Sequence, residues 1–224
     1  MTTAVLLPSP LLPPVAYVPL ADALERHGWA ASVASPPAAP AGPSPVLTAY
    51  ASFVQERRPD VVVAHSNAGR YAVAVAAGAP VVYVDAALPP EEGQAPLAPE
   101  GLLSRLASMV GRDGLLPPWT HWWPDDDLAT VLPNPDVLAG IRAVEGRLPL
   151  AYFQARLGAP PGWMGSRQAY LAYGDTYADE VAVARRLGWP VAVVPGAGHL
   201  HHVVDPDGAG DAVVAMAAEV GVRQ

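Results

Sequence analysis

Six short runs of unbroken apolar residues, separated by stretches with helical spacing, limit this chain to very few folds. The runs are "TAVLLP" (3–8), "ASVAS" (31–35), "DVVVAH" (60–65), "PVVYVDAAL" (80–88), "QAYLAY" (168–173) and "PVAVVPG" (190–196). A strand solvated on one face alternates apolar and polar residues; these do not, so they read as strands covered on both faces. Between them lie helical segments at 15–29 (closing at Gly28), 46–58 (stopped by Pro59), 68–78 and 178–188, with a last one at about 208–220. Continuous strands separated by helices form a parallel sheet, because only a crossover element can join parallel neighbours. The expected class is α/β: a doubly wound, mostly parallel six-stranded sheet with helices on both faces.

The rhythm stops between Pro89 and about Ser166. No strand is expected there, only helical pieces near 100–111, 126–132, 135–146 and 148–157, separated by "LLPPWTHWWP" and "GAPPGWMG". This stretch holds four of the six tryptophans: Trp119, Trp122, Trp123 and Trp163. We therefore expect one domain over 1–224 with a helical cap, 89–166, inserted after the fourth strand. "PPAAPAGPSP" (36–45) is a loop that Pro and Gly keep irregular.

Composition narrows the partners. The formal charge is −8, and the only adjacent arginine pairs are Arg57-Arg58 and Arg185-Arg186. Neither nucleic acid nor an anionic membrane finds a basic footprint here. The chain has no cysteine and no lysine; all 13 basic residues are arginine. Thiolate and Schiff-base nucleophiles are thereby excluded. The excess of Ala, Gly, Pro and Arg suggests a GC-rich bacterial genome. The N-terminus is apolar but carries no basic segment and is soon broken by proline, so it reads as a strand rather than a signal peptide. No apolar run reaches the length of a membrane span. A cytoplasmic protein is expected; its oligomeric state is not indicated.

Chemistry concentrates at the C-terminal ends of the strands, where open parallel sheets bind ligands. Ser66 ends the third strand within Ala64-His65-Ser66-Asn67-Ala68-Gly69. Small residues on either side of a serine suit a tight strand-to-helix elbow, although alanines stand where glycines are usual. Asp175 follows the fifth strand in "GDTYADE", and His199 follows the sixth in "GAGHLHH". A serine needs a base, and the base needs an orienting acid. Ser66 as nucleophile, His199 as base and Asp175 as acid fill those roles. Asp85, at the end of the fourth strand, is a rival acid. Simpler readings exist for each: Ser66 or Asp175 as a helix cap, and His199, His201 and His202 as metal ligands. Glycines and Pro195 place those histidines in a loop, and no metal is expected. His65 reads as structural.

On "VVVAHSNAG", "VVYVDAALPPEEGQ" and "GHLHHVVDP" the chain resembles the α/β-hydrolase superfamily, in particular its small capped esterase-like branch with methylesterases and hydroxynitrile lyases. The resemblance implies a serine hydrolase that cleaves a small apolar carboxylic ester or lactone without a cofactor. It also implies an oxyanion hole built from the Asn67 N–H and the loop after the first strand. That loop reads Pro8-Ser9-Pro10-Leu11. In the simplest register the donor falls on Pro10, which has no N–H, so the Ser9 hydroxyl or the Leu11 N–H is expected to serve. Trp119, His121, Trp122, Trp123 and Trp163 are expected to line the substrate pocket, although plain packing is an equal reading for each. Two alternatives stay open: a non-hydrolytic enzyme of cyclase or lyase type on the same fold, and a non-catalytic homologue that binds a small apolar ligand. The lyase is disfavoured by the missing lysine.

Overall fold

In the computed structural model, which describes residues 1–223 with the exception of the Asp126 side chain, the six apolar runs pair into one sheet. The strands are β1 (Thr3–Leu7), β2 (Ala30–Val33), β3 (Val61–Ser66), β4 (Val81–Ala86), β7 (Gln168–Tyr173) and β8 (Val191–Val194). They lie in the order β2-β1-β3-β4-β7-β8, and every pairing is parallel. The strand order reverses at β1, which lies between β2 and β3. The loop after β1 and the end of β3 therefore flank the switch point, the crevice where doubly wound sheets take ligands. The domain was expected over 1–224; Gln224 lies outside the described residues.

Alternate residues of each strand face opposite layers. On one side Val5, Leu7, Val62, Ala64 and Tyr83 pack with α2 (Pro43–Arg57), α3 (Gly69–Val75) and residues of the inserted segment. On the other, Ala4, Leu6, Val61, Val63, Val82 and Val84 pack with α1 (Val18–Arg26) and α10 (Pro206–Glu219) through Leu20, Leu24, Val213 and Ala217. The helix expected over 15–29 divides into a 3₁₀ turn, Pro14–Tyr17, and α1. α10 starts at Pro206, where the Asp205 carboxylate accepts the Gly208 N–H at 3.0 Å. Among the described residues no helix is long and apolar enough to cross a membrane.

Between β4 and β7 the chain forms α4 (Glu100–Met109), α5 (Asp125–Val131), α6 (Pro135–Val144) and α7 (Leu150–Gln154). The expectation of no strand here is corrected. β5 (Gln94–Pro96) and β6 (Arg156–Gly158) form an antiparallel ladder at the base of the segment. Three-residue strands containing Pro96 and Gly158 show no alternation to read. Gly158 is needed there, since a Cβ would sit 2.6 Å from the Gly93 carbonyl oxygen. The base is tied to the sheet by Arg70 of α3, which donates to the carbonyls of Leu88 (2.6 Å) and Pro96. The far end docks on the Pro-rich loop, where Gly146 lies so close to Ala38 that a Cβ would overlap its carbonyl oxygen.

Candidate active site

Ser66 closes β3 with φ +57, in the left-handed region that L residues avoid, and α3 follows three residues later. This sharp turn lifts the side chain out of the sheet. It also draws α3 against the end of β4: a Cβ on Gly69 would lie 2.3 Å from the Ala87 carbonyl oxygen and 3.0 Å from the Ala86 Cβ. Alanine therefore fits at 64 and 68, and the tight glycine comes one residue later than the usual motif places it.

His199, in the loop after β8, brings Nε2 to 3.1 Å from Ser66 Oγ. Its Nδ1 lies 2.6 Å from Asp85 Oδ2. The other Asp85 oxygen accepts the backbone N–H of Tyr173 at 3.0 Å. Asp85 is fully buried, and both of its oxygens are satisfied. A carboxylate at Nδ1 puts the ring hydrogen there and leaves Nε2 to accept the serine proton.

The expected acid, Asp175, is corrected. It is exposed in the turn between β7 and α8 (Ala178–Arg186), where its carbonyl accepts the Ala178 N–H, and the partner of His199 is Asp85. The reason is a bulge. His65 pairs with Val84 and Ser66 with Ala86, so Asp85 is the extra residue of β4, at φ +41. A bulge turns a side chain away from its strand parity, here toward the histidine loop. One sequence signal marked Asp85: it is the single charge in an otherwise apolar strand run, and a buried carboxylate requires a partner.

His65 joins two loops. The Ser9 N–H donates to the Tyr17 hydroxyl (2.8 Å), Tyr17 to His65 Nδ1 (2.8 Å), and His65 Nε2 to the His199 carbonyl (2.9 Å). Burial, and then the neighbouring His199 and His202, hold His65 well below the ordinary histidine range, so it stays neutral. His202, in α9 (His201–Val204), is fully buried and stacks on Tyr17 at 5.0 Å. Neither of its ring nitrogens has a partner among the described residues, and burial lowers its pKa to about 3. The three histidines that a metal site would need point apart. His199 faces Ser66 and Asp85, His201 lies 3.9 Å from Asp205, and His202 stacks on Tyr17.

The oxyanion candidates fare unequally. Asn67 has a backbone N–H with no acceptor among the described residues. Its side chain is anchored, donating to the Leu97 carbonyl (2.9 Å) and accepting from Tyr152 (2.8 Å), which Tyr71 supports (2.8 Å). In the loop after β1 the N–H groups of Ser9 and Leu12 are engaged and that of Leu11 is held only weakly. That of Ser9 meets Tyr17, that of Leu11 faces Ser9 Oγ at 3.4 Å, and that of Leu12 bonds the Ser9 carbonyl at 2.9 Å.

The expected pocket side chains mostly pack. Trp119 and Trp122 are buried, and Trp122 donates to the Pro117 carbonyl and meets Phe153 edge-on. Trp163 is corrected: it packs against Trp189, and its carbonyl accepts from Gln168, the first residue of β7. That is the sheet edge opposite Ser66. Trp123 is 38% exposed under the Arg105 guanidinium, and His121 is exposed. A cavity of about 800 Å³ also opens at the opposite edge, beside Asp60, Pro80 and Arg167, which precede β3, β4 and β7.

One residue at the site carried no signal in the sequence. Tyr177, just before α8, places its hydroxyl 3.5 Å from Ser66 Oγ, with its ring tilted against His199 at 5.7 Å.

The sequence matches no protein-family model and no curated protein. Solved structures do resemble it. An extracellular α/β-hydrolase from a Paenibacillus species is 13% identical, with a TM-score of 0.73 over 96% of this chain and 99% of that one. Tomato methylketone synthase I, complexed with 2-tridecanone, is 12% identical, with a TM-score of 0.70 over 98% of each chain. A thioesterase domain from the curacin biosynthetic pathway is 13% identical, with a TM-score of 0.62 over 96% of this chain and 91% of that one. With the sheet order, the elbow at Ser66 and these likenesses together, the chain has the α/β-hydrolase fold.

Proposed function

We propose that the protein is a serine hydrolase acting on a small apolar carboxylic ester or lactone. The observation that carries this reading is the hydrogen-bond chain from Asp85 through His199 to a serine held at φ +57 on the elbow. Ser66 attacks the acyl carbon while its proton passes to His199 Nε2. Asp85 holds the ring and offsets the imidazolium charge. The tetrahedral oxygen meets the Asn67 N–H. His199 returns the proton to the leaving alkoxide, and water, activated by the same nitrogen, releases the acyl group. Arg70, the arginine of α3, commits its two terminal nitrogens to the carbonyls of Leu88 and Pro96.

A fluorophosphonate probe tests the reading. One adduct, mapped to Ser66 and lost in Ser66→Ala and His199→Ala, supports it, and a panel of esters and lactones then defines the substrate. Folded protein that takes no label, under conditions that label a known serine hydrolase, overturns it. A second reading draws on the engaged N–H groups of Ser9 and Leu12 and on Pro10, which has none. It is a non-hydrolytic enzyme, or a binder of a small apolar ligand, that needs no two-donor oxyanion hole. Product analysis by mass spectrometry separates these outcomes.

A further inference from the structure

A tetrahedral oxyanion needs two donors, and in the resting structure the loop after β1 offers only the Leu11 N–H, weakly held 3.4 Å from Ser9 Oγ. Pro10 has no N–H, and those of Ser9, Leu11 and Leu12 point to Tyr17, Ser9 Oγ and the Ser9 carbonyl. The hydroxyl that does reach the reacting atoms belongs to another loop. Tyr177 Oη lies 3.5 Å from Ser66 Oγ, at the outer limit of a hydrogen bond to the resting serine. Its position is fixed from both sides. Its carbonyl accepts the Val181 N–H at 3.0 Å and starts α8, and its ring leans on His199.

We propose that Tyr177 is a catalytic residue that supplies the second oxyanion donor, in place of the loop N–H that Pro10 cannot provide. The inference rests on the hydrolase reading. When Ser66 Oγ bonds to the acyl carbon, its proton moves to His199 Nε2 and the carbonyl π pair moves onto oxygen. That new oxyanion is one bond angle from Oγ, so a hydroxyl 3.5 Å from Oγ lies within reach of it. Tyr177 donates without losing its proton. Burial pushes its pKa up to about 12, with a smaller opposing contribution from Ser66, so the hydroxyl stays protonated throughout the working range.

Tyr177→Phe keeps the ring and its packing and removes only the hydroxyl. With the best ester substrate, kcat should fall about 10²-fold with KM little changed, as when one oxyanion donor is lost. Affinity for a trifluoromethyl ketone, whose hemiketal oxygen occupies the same place, should fall in parallel. A purely structural tyrosine would not produce that parallel. Ser9→Ala, measured alongside, tests the competing hydroxyl. If Tyr177→Phe keeps kcat within about threefold of wild type, or if the loss follows Ser9→Ala instead, the proposal is overturned while the labelled Ser66 keeps the hydrolase reading intact. If wild type takes no fluorophosphonate label, the reading fails and the proposal falls with it.

Discussion

Asp85 Oδ2 lies 2.6 Å from His199 Nδ1, and the residue that makes this contact is the one β4 leaves out of its pairing with β3. The carboxylate that faces His199 thus comes from the strand beside the one that carries Ser66. Asp85→Asn preserves shape but offers the ring an amide in place of a carboxylate, which disturbs both tautomer and charge. We expect kcat to fall on the order of 10³–10⁴-fold. Asp175→Asn, at an exposed position, should stay within about twofold. Steady-state kinetics of the two variants decide between the carboxylates, and the reverse ranking would remove Asp85 from the mechanism.

Left-handed backbone at Ser66 stores strain. An L residue there costs about 1–2 kcal/mol, and glycine is largely spared. Ser66→Gly and Ser66→Ala both remove the hydroxyl, but only the first relieves the turn. Denaturant unfolding should find the glycine variant more stable than the alanine variant by about 1 kcal/mol. Equal midpoints would mean that the turn holds no strain.

Gly69 lets α3 approach the end of β4. In Gly69→Ala the new methyl meets the Ala87 backbone carbonyl, with a contact of 2.3 Å before any movement. The helix must shift, so we expect a loss of about 1–3 kcal/mol and slower labelling of Ser66. Thermal unfolding and probe kinetics together check this, and an unchanged melting temperature counts against the close packing.

His202 links stability to acidity. Burial depresses its folded-state pKa from the ordinary 6.5 to about 3. Between those values the unfolded chain binds the extra proton and the folded chain does not. Stability is therefore full above about pH 6.5 and declines as pH falls toward 3. His65 acts in the same direction. His202→Phe keeps a flat ring against Tyr17 and removes the proton site. Its stability should fall less steeply across that window than wild type, as read by urea midpoints measured at several pH values.

The four interior strands were legible because burial on both faces leaves a plain mark, a run with no polar alternation; the edge strands β2 and β8 carry the same mark although they are only half-buried. Ser66 and His199 were legible because strand ends and small-residue loops can be located along a chain. Asp85 was misjudged for a physical reason. Counting strand parity assumes regular pairing, and one extra residue at the end of β4 redirects the carboxylate. Trp163 was misplaced because the chain returns to the far edge of the sheet before β7 begins. Tyr177 meets Ser66 from 111 residues away, and no local pattern encodes such a meeting.

The chain of donors from Ser9 through Tyr17 and His65 to the His199 carbonyl has a polarity. Every hydrogen in it points the same way. A second proton on the His65 ring would turn Nδ1 from acceptor to donor. Tyr17 would then have to turn its own hydrogen away from His65, and among the described residues its hydroxyl meets only Ser9 besides. The loop after β1 and the loop that carries His199 are therefore parts of one oriented wire, and a substitution that reverses one link must reverse the others or break the line.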